Sequence, residues 1–290
     1  MIKILALDLD GTLLGPGGIV SDENRAAIRR AEDLGVLVTI ATGRRFRDAE
    51  PVGIELGLNA PLISHNGALL KYAGTLETVY GSLHTAETSK EIIRVGKEFG
   101  GDALVSVDPL GRGTLYYDRV SEGNLPLQTY LAWSRTVHGP AADEAVHQVD
   151  DLISIVPDHQ IIHISFSGSC AAMYEMQRVL EVELAGTVTV LATIYPQRDF
   201  TLIDILPPDA SKGAGLQRLA DFNNIDREEV MAIGDNYNDI EMLEFAGTPV
   251  VMGNADPELI ARPDVYTTLT NEENGVAAAI ERFILGENER

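Results

Sequence analysis

Apolar runs that stop in polar or glycine-rich turns alternate with helical patterns along the N-terminal part of the chain. The first run, KILALDLD (3–10), predicts a buried strand that ends at a carboxylate, Asp8. The segment SDENRAAIRRAEDLG (21–35) follows, with apolar residues at helical spacing. Ser21 is its candidate N-cap and Gly35 its candidate stop. The pattern therefore predicts a strand, a turn and an amphipathic helix.

Further apolar runs extend this alternation. VLVTIATG (36–43) is continuous and rich in β-branched residues, which is typical of a strand buried on both faces of a parallel sheet. APLISHNGALL (60–70) predicts a third strand and its exit. In the C-terminal part, strands are predicted at 200–207, 229–235 and 248–255, and helices at 211–224, 236–247 and 271–284.

This alternation predicts an α/β protein with a doubly wound, Rossmann-like parallel sheet. Residues 83–198 differ from this pattern. They contain predicted helices and strands of their own, and none of those strands ends in acids as the first strand does. We therefore expect a discontinuous core domain, residues 1–82 and 199–290, with an inserted α/β domain at 83–198.

The composition argues against two classes of binding partner. The formal net charge is −22, which argues against nucleic acid or an anionic membrane surface as a partner. A single cysteine, Cys170, permits no intrachain disulfide. No apolar run is long enough for a membrane span, and the first one is too short for a signal peptide. We expect a cytoplasmic protein, and the oligomeric state stays open.

Chemistry-bearing side chains follow the predicted strands at their carboxyl ends, where open parallel sheets bind ligands. The first strand ends in carboxylates, the second in a hydroxyl and a glycine, and a later strand in two further acids and an amide. A lysine begins the helix after another strand. These residues are Asp8, Asp10, Thr42, Gly43, Asp235, Asn238, Asp239 and Lys212.

Such a cluster of carboxylates needs a cation, since four neighbouring acids cannot all stay ionised unaided. Mg²⁺ typically takes one or two protein carboxylates together with phosphate oxygens. Lys212, the hydroxyl of Thr42 and the amides near Gly11 and Gly43 suit a phosphate group. The inventory indicates Mg²⁺-assisted phosphoryl transfer, with one acid as nucleophile and another as general acid and base.

Four short motifs resemble those of the haloacid dehalogenase superfamily in order and spacing: DLDGT (8–12), ATGR (41–44), SKG (211–213) and GDNYND (234–239). Three more segments are similar to its Cof-type branch, which carries an α/β cap of class C2B (IIB): HNGA (65–68), MGNA (252–255) and NEENGVAAAIERF (271–283). The resemblance covers the core and, more loosely, the cap.

The resemblance implies a role for each matching residue. Asp8 is the nucleophile that forms an aspartyl-phosphate, and Asp10 is the general acid and base. The resemblance implies that Mg²⁺ is held by the Asp8 carboxylate, the Asp10 main-chain carbonyl and Asp235. Asp239 then lies next to these ligands without binding the metal itself. The implied phosphate contacts are the Leu9 amide, Thr42, Gly43, Lys212 and Asn238, with Asn66 as a further candidate.

Three residues in or beside these motifs have less definite roles. His65 stands where many relatives have a small residue, and its role is open. Arg44 and Arg45 are expected to pair with nearby acids as structural residues.

The function implied is hydrolysis of small phosphate monoesters, such as sugar phosphates, by a Mg²⁺-dependent phosphatase. Two alternatives stay open. A phosphomutase of the same capped class would use the same aspartates and return the phosphate to the sugar. A non-catalytic sensor of phosphorylated ligands would keep the fold without turnover.

Overall fold

The computed structural model describes residues 1–286, which fall into two compact units. The core unit comprises Met1–Arg44, Ala49–Val79 and the described chain from Ser211 onward. The inserted unit comprises Arg45–Asp48 and Tyr80–Ala210.

The strands, in chain order, are β1 (Ile4–Leu7), β2 (Leu37–Ile40), β3 (Leu62–Ser64), β4 (Leu69–Lys71), β5 (Thr78–Gly81), β6 (Asp102–Val107), β7 (Thr114–Tyr117), β8 (Val146–Gln148), β9 (Ile161–Gly168), β10 (Thr189–Tyr195), β11 (Phe200–Leu206), β12 (Val230–Gly234), β13 (Thr248–Val251) and β14 (Tyr266–Thr267). The α-helices are α1 (Asp22–Asp33), α2 (Phe46–Leu56), α3 (Ala86–Glu98), α4 (Leu125–His138), α5 (Ala142–Ala145), α6 (Cys170–Glu183), α7 (Lys212–Asn223), α8 (Ile240–Phe245), α9 (Pro257–Ile260) and α10 (Gly275–Ile280). Within the described part of the chain, no helix has the length and apolarity that crossing a bilayer requires.

The core unit is built on a parallel sheet with strand order β14-β13-β12-β1-β2. All four residues of β1 are buried, as its continuous apolar run predicts. The chain leaves β1 for β2 on one side and returns as β12 on the other, so the strand order reverses at β1. The predicted fold class is confirmed, and the carboxyl ends of β1, β2 and β12 lie side by side.

Two helices of the core unit begin where their capping residues predict. The Ser21 hydroxyl accepts a hydrogen bond from the Asn24 amide at the start of α1, and Gly35 ends that helix region with φ of +87°. The Ser211 hydroxyl accepts from the Ala214 amide at the start of α7. The cap at Ser211 places Lys212 in the first turn of a helix whose start is fixed.

The inserted unit contains a six-stranded sheet in the order β10-β11-β9-β6-β7-β8. Helices α3 and α6 contribute Ile92, Ile93 and Met173 to a hydrophobic core that also takes Val105 and Phe166 from the sheet. These side chains are almost completely buried. The unit therefore has an apolar core of its own, as an independent α/β domain requires.

One predicted strand lies in a different sheet from the one expected. Residues 200–207 were expected to resume the core, but β11 pairs antiparallel with β9 and β10 in the inserted unit. The burial pattern of β11 gives the physical reason: buried Ile203 and Ile205 flank the half-buried Asp204. This alternation is typical of an antiparallel strand with one polar face. The described inserted unit accordingly runs to Ala210 and not to residue 198.

A buried ion-pair cluster keeps Arg45–Asp48 with the inserted unit. Arg45 donates two hydrogen bonds to the Asp48 carboxylate, at 2.8 and 3.0 Å. Tyr130 of α4 donates to the same carboxylate at 2.9 Å, and His138 Nε2 lies 3.2 Å from it. Burial alone would raise the pKa of Asp48, but the Arg45 guanidinium and these hydrogen bonds hold that pKa well below its usual value. The expected structural pairing of Arg45 is confirmed.

Gly67 permits a close approach of two core segments, and its replacement by alanine tests that approach. Its φ is +91°, and an added Cβ would overlap the main-chain carbonyl of Ser211. Because neither main chain can move aside without a cost in free energy, we expect Gly67→Ala to lower the free energy of unfolding by about 3 kcal/mol. Gly74→Ala is the matched control, since nothing lies within 4 Å of its added Cβ. Equal thermal midpoints for the two variants would contradict the packing described.

Candidate active site

The predicted site residues converge at the carboxyl ends of three neighbouring strands of the core unit. Asp8 directly follows β1, Thr42 follows β2 by two positions, and Asp235 directly follows β12. Parallel register between these strands brings their ends to one edge of the sheet. Asp8 is only 5% exposed and Thr42 is 1% exposed, so both of these candidate site residues are buried.

Lys212 binds two of the carboxylates. Its Nζ lies 2.7 Å from Oδ1 of Asp8 and 2.6 Å from Oδ1 of Asp239. All three side chains are buried. Burial alone would lower the pKa of Lys212, but the two carboxylates outweigh that effect and raise it. The lysine is therefore held as a cation between the acids.

Negative charge exceeds positive charge in this cluster. Carboxylate oxygens of Asp8, Asp235 and Asp239 all lie within 4.8 Å of one another. Burial, and next the charge of Asp239, raise the pKa of Asp8 well above its ordinary value. The same two causes raise the pKa of Asp235 to about 6. One ammonium does not balance three carboxylates, so the donor set fits a hard divalent cation.

Asp239 also shapes the loop around the cluster. Its Oδ2 accepts hydrogen bonds from the amides of Asp235 and Asn236, each at 3.0 Å. An added Cβ on Gly234 would lie only 2.6 Å from the Asp239 side chain. Asp239 thus closes the turn after β12 with one oxygen and binds Lys212 with the other.

The DLDGT loop approaches Asp235 closely because it contains a glycine. Gly11 has φ of +86°, and an added Cβ would overlap Oδ2 of Asp235. The hydroxyl of Thr12 donates to Oδ1 of Asp235 at 3.2 Å. Asn254 of the MGNA segment donates to the Gly11 carbonyl at 2.8 Å. Sequence reasoning gave Asn254 no role, although its motif was the available signal.

Asp10 lies outside the buried cluster. Its side chain is 59% exposed and makes two hydrogen bonds with Arg44, at 2.8 and 2.5 Å. Asp8 is buried, so the two acids of the DLDGT loop differ in exposure although they are only two residues apart. The expected ion pairing of Arg44 is confirmed, but it places this arginine at the site, which sequence reasoning did not foresee.

Apart from Lys212, the candidate phosphate-binding residues lie in the loops that follow β1, β2, β3 and β12. The amide of Arg44 donates to the Thr42 hydroxyl oxygen at 3.1 Å. Asn238 donates to Oδ1 of Asn66 at 3.3 Å, and an added Cβ on Gly43 would lie 3.1 Å from the same oxygen. Leu9, the remaining candidate, is buried between the two acids of the DLDGT loop.

His65 is a buried loop residue of the core unit. It is 2% exposed, and its amide donates to the Arg44 carbonyl at 2.9 Å. It occupies the left-handed region, with φ of 51°.

Comparison with known proteins places this chain in a family. A family model described as haloacid dehalogenase-like hydrolase matches residues 5–280. The Bacillus subtilis protein named 5-amino-6-(5-phospho-D-ribitylamino)uracil phosphatase YwtE is 30% identical over 305 aligned positions, which cover 99% of each chain.

Two solved structures show the same fold. A haloacid dehalogenase-like hydrolase from Bacillus subtilis matches with a TM-score of 0.80 and 26% identity, over 98% of this chain and 100% of that one. A sugar phosphatase described as subclass IIB of the same superfamily matches with a TM-score of 0.74 and 21% identity, over 97% and 98% of the two chains. The chain therefore belongs to the haloacid dehalogenase-like hydrolase family, and the prediction of a phosphoric monoester hydrolase of its Cof-type branch is confirmed.

Proposed function

We propose that this protein is a Mg²⁺-dependent phosphatase that hydrolyses small phosphate monoesters through an aspartyl-phosphate on Asp8. The observation that carries the proposal is the cluster of Asp8, Asp235 and Asp239, in which buried Lys212 contacts Asp8 and Asp239 and Asp235 is half-buried. Its excess negative charge suits a divalent cation, and it lies where parallel sheets bind phosphates.

Mg²⁺ would be held by the carboxylates of Asp8 and Asp235 and by the main-chain carbonyl of Asp10. When bound, it would offset the charge of the phosphate and align it for in-line attack. The raised pKa values of Asp8 and Asp235 support this assignment, because carboxylates that repel one another are stabilised by a shared cation.

The chain's own residues would carry the chemistry in two steps. An oxygen of Asp8 attacks phosphorus, forming the new P–O bond as the bond to the ester oxygen breaks. Asp10 gives a proton to the departing alcohol, and then takes one from the water that attacks the phosphorus of the aspartyl-phosphate. That second attack releases inorganic phosphate and restores the Asp8 carboxylate.

Donors on several loops would hold the phosphate oxygens during both steps. Lys212 supplies a fixed positive charge, and Thr42 and Asn238 supply a hydroxyl and an amide. The amides of Leu9 and Gly43 complete the proposed set. Because hydrogen bonds already fix Thr42, Asn238 and Lys212 to their neighbours, little reorganisation should be needed when the phosphate binds.

The proposed substrates are phosphorylated small metabolites, with sugar phosphates as the first class to test. The YwtE relative is named for a phosphorylated ribityl compound, which carries several hydroxyl groups. A screen of phosphate release across sugar phosphates, nucleotides, flavin mononucleotide and pyridoxal phosphate would identify the preferred class.

Replacing the two acids of the DLDGT loop tests the proposed division of roles. Asp8→Asn removes the nucleophile, and we expect kcat to fall by about 10³-fold or more. Asp10→Asn removes the proton donor, and we expect a fall of about 10²–10⁴-fold. Phosphate release with Mg²⁺ is the measurement, and Asp33→Asn, an exposed acid at the end of α1, is the control.

Three outcomes would contradict or change the proposal. Equal turnover by wild type and Asp8→Asn across the panel would overturn the covalent mechanism, and no turnover by either would favour a sensor. Conversion of a sugar phosphate to its isomer, with a requirement for a bisphosphate, would favour a phosphomutase.

Thermal unfolding with and without Mg²⁺ tests the metal site through pH. The raised pKa of Asp235, about 6 against an ordinary 3.8, contributes stability that is present at low pH and lost as pH rises through about 6. Without metal, the stability of wild type relative to Asp235→Asn should therefore fall from about pH 4 to about pH 6. Mg²⁺ should raise the melting temperature of wild type more at pH 7.5 than at pH 5.

Asp235→Asn is the matching variant for this experiment. It removes one proposed ligand, so the Mg²⁺-dependent rise at pH 7.5 should shrink, while Asp33→Asn should keep the full rise. An equal Mg²⁺ effect at both pH values, or in both variants, would contradict the proposed metal site.

A further inference from the structure

Three consecutive residues of the core unit adopt left-handed backbone conformations. His65, Asn66 and Gly67 have φ of 51°, 49° and 91°. Within residues 1–286, His65 and Asn66 are the only two adjacent non-glycine residues with positive φ. Both are buried, with 2% exposure. Left-handed backbone is disfavoured for residues with a Cβ, so this segment is strained and the surrounding structure must enforce it.

Backbone hydrogen bonds fasten this segment to the loop after β2. The amide of Asn66 donates to the Thr42 carbonyl at 3.0 Å, and the amide of His65 donates to the Arg44 carbonyl at 2.9 Å. The amide of Thr42 in turn donates to the Ile63 carbonyl at 2.8 Å. The two loops therefore form one hydrogen-bonded unit.

The strained conformation places the Asn66 carboxamide between two proposed phosphate contacts. Its Oδ1 accepts from Nδ2 of Asn238 at 3.3 Å. The same group lies against the α-carbon of Gly43, because an added Cβ there would be 3.1 Å from Oδ1 and 3.2 Å from Nδ2. One carboxamide thus contacts the loops that follow both β2 and β12.

We propose that Asn66 is a positioning residue for phosphate binding, which acts through Gly43 and Asn238. This inference rests on the proposed function. The hydrogen bond from Asn238 to Asn66 orients the Asn238 amide, and leaves its second N–H to donate to a phosphate oxygen. The contact with Gly43 fixes the main chain that presents the Gly43 amide. The left-handed backbone is the means by which the side chain reaches both.

Two substitutions at position 66 separate positioning from folding. Asn66→Gly removes the carboxamide, but its backbone accepts positive φ at little cost. Asn66→Ala removes the same carboxamide and keeps a Cβ in the left-handed region. Asn66→Ala should therefore melt at a lower temperature than Asn66→Gly, whereas both should bind phosphate equally weakly.

The probe is inorganic phosphate, titrated calorimetrically into the protein at saturating Mg²⁺. Losing one hydrogen-bonded positioning contact should weaken phosphate binding about tenfold in both variants. The KM for phosphate esters should rise by a similar factor with a smaller change in kcat, because the lost interaction serves ground state and transition state alike.

A double-mutant cycle and a control complete the test. In an Asn238→Ala background, Asn66→Gly should weaken phosphate binding less than in wild type, since one of its two partners is already absent and only the contact with Gly43 remains. Asn224→Gly makes the same change at another left-handed asparagine, which ends α7, and should leave phosphate binding unchanged.

Two results would overturn the inference alone: a wild-type protein that binds and releases phosphate while Asn66→Gly binds it equally well, or phosphate affinity that follows melting temperature across the variants. A wild-type protein that neither binds nor releases phosphate would overturn the proposed function together with this inference.

Discussion

The contact of Lys212 with Asp8 and Asp239 is the interaction on which the rest of the site depends. It joins the first residue of α7 to the end of β1 and to the turn after β12, which are far apart in sequence. Removing the ammonium would leave buried carboxylates uncompensated, a change that typically costs several kcal/mol. Even with it, burial and the charge of Asp239 keep the pKa values of Asp8 and Asp235 raised, so a further positive charge would stabilise the ionised carboxylates.

Close packing of backbone around the acids is the second constraint. Gly11 and Gly234 lie where an added Cβ would meet Asp235 or Asp239, and Gly67 lies against the Ser211 carbonyl. Each glycine lets its main chain approach a neighbouring group more closely than a side chain would allow. At Gly11 and Gly234 the main chain therefore lies directly against a carboxylate, and at Gly67 it lies against another main chain, which brings the acids and donors together at one sheet edge.

Much of this arrangement is predictable from the sequence, because local signals and topology agree. The continuous apolar run of β1 specifies a buried strand. The hydrogen-bonding caps at Ser21 and Ser211 specify where α1 and α7 begin. Once a parallel sheet is inferred, Asp8 and Asp235 must meet at its carboxyl edge. The fold class and this meeting of the acids follow from those rules, whereas the catalytic roles remain predictions.

Other features depend on contacts that spacing does not encode. The partners of β11 are chosen by pairing with β9 and β10, and its half-polar pattern was the only local signal. The hydrogen bonds of exposed Asp10 with Arg44, and the contacts of the Asn66 carboxamide with Gly43 and Asn238, join loops that are distant in sequence. Side-chain pairs of this kind require the assembled fold.

The central claim is that Asp8 carries the phosphoryl group during turnover. The most direct measurement is to quench the enzyme during turnover of a preferred phosphate ester with Mg²⁺, reduce it with borohydride, and map the peptides by mass spectrometry. An aspartyl-phosphate would be reduced to homoserine, so the account predicts homoserine at position 8 only when Mg²⁺ and substrate are both present. An enzyme that turns over with position 8 unmodified, or modified at another acid, would contradict it.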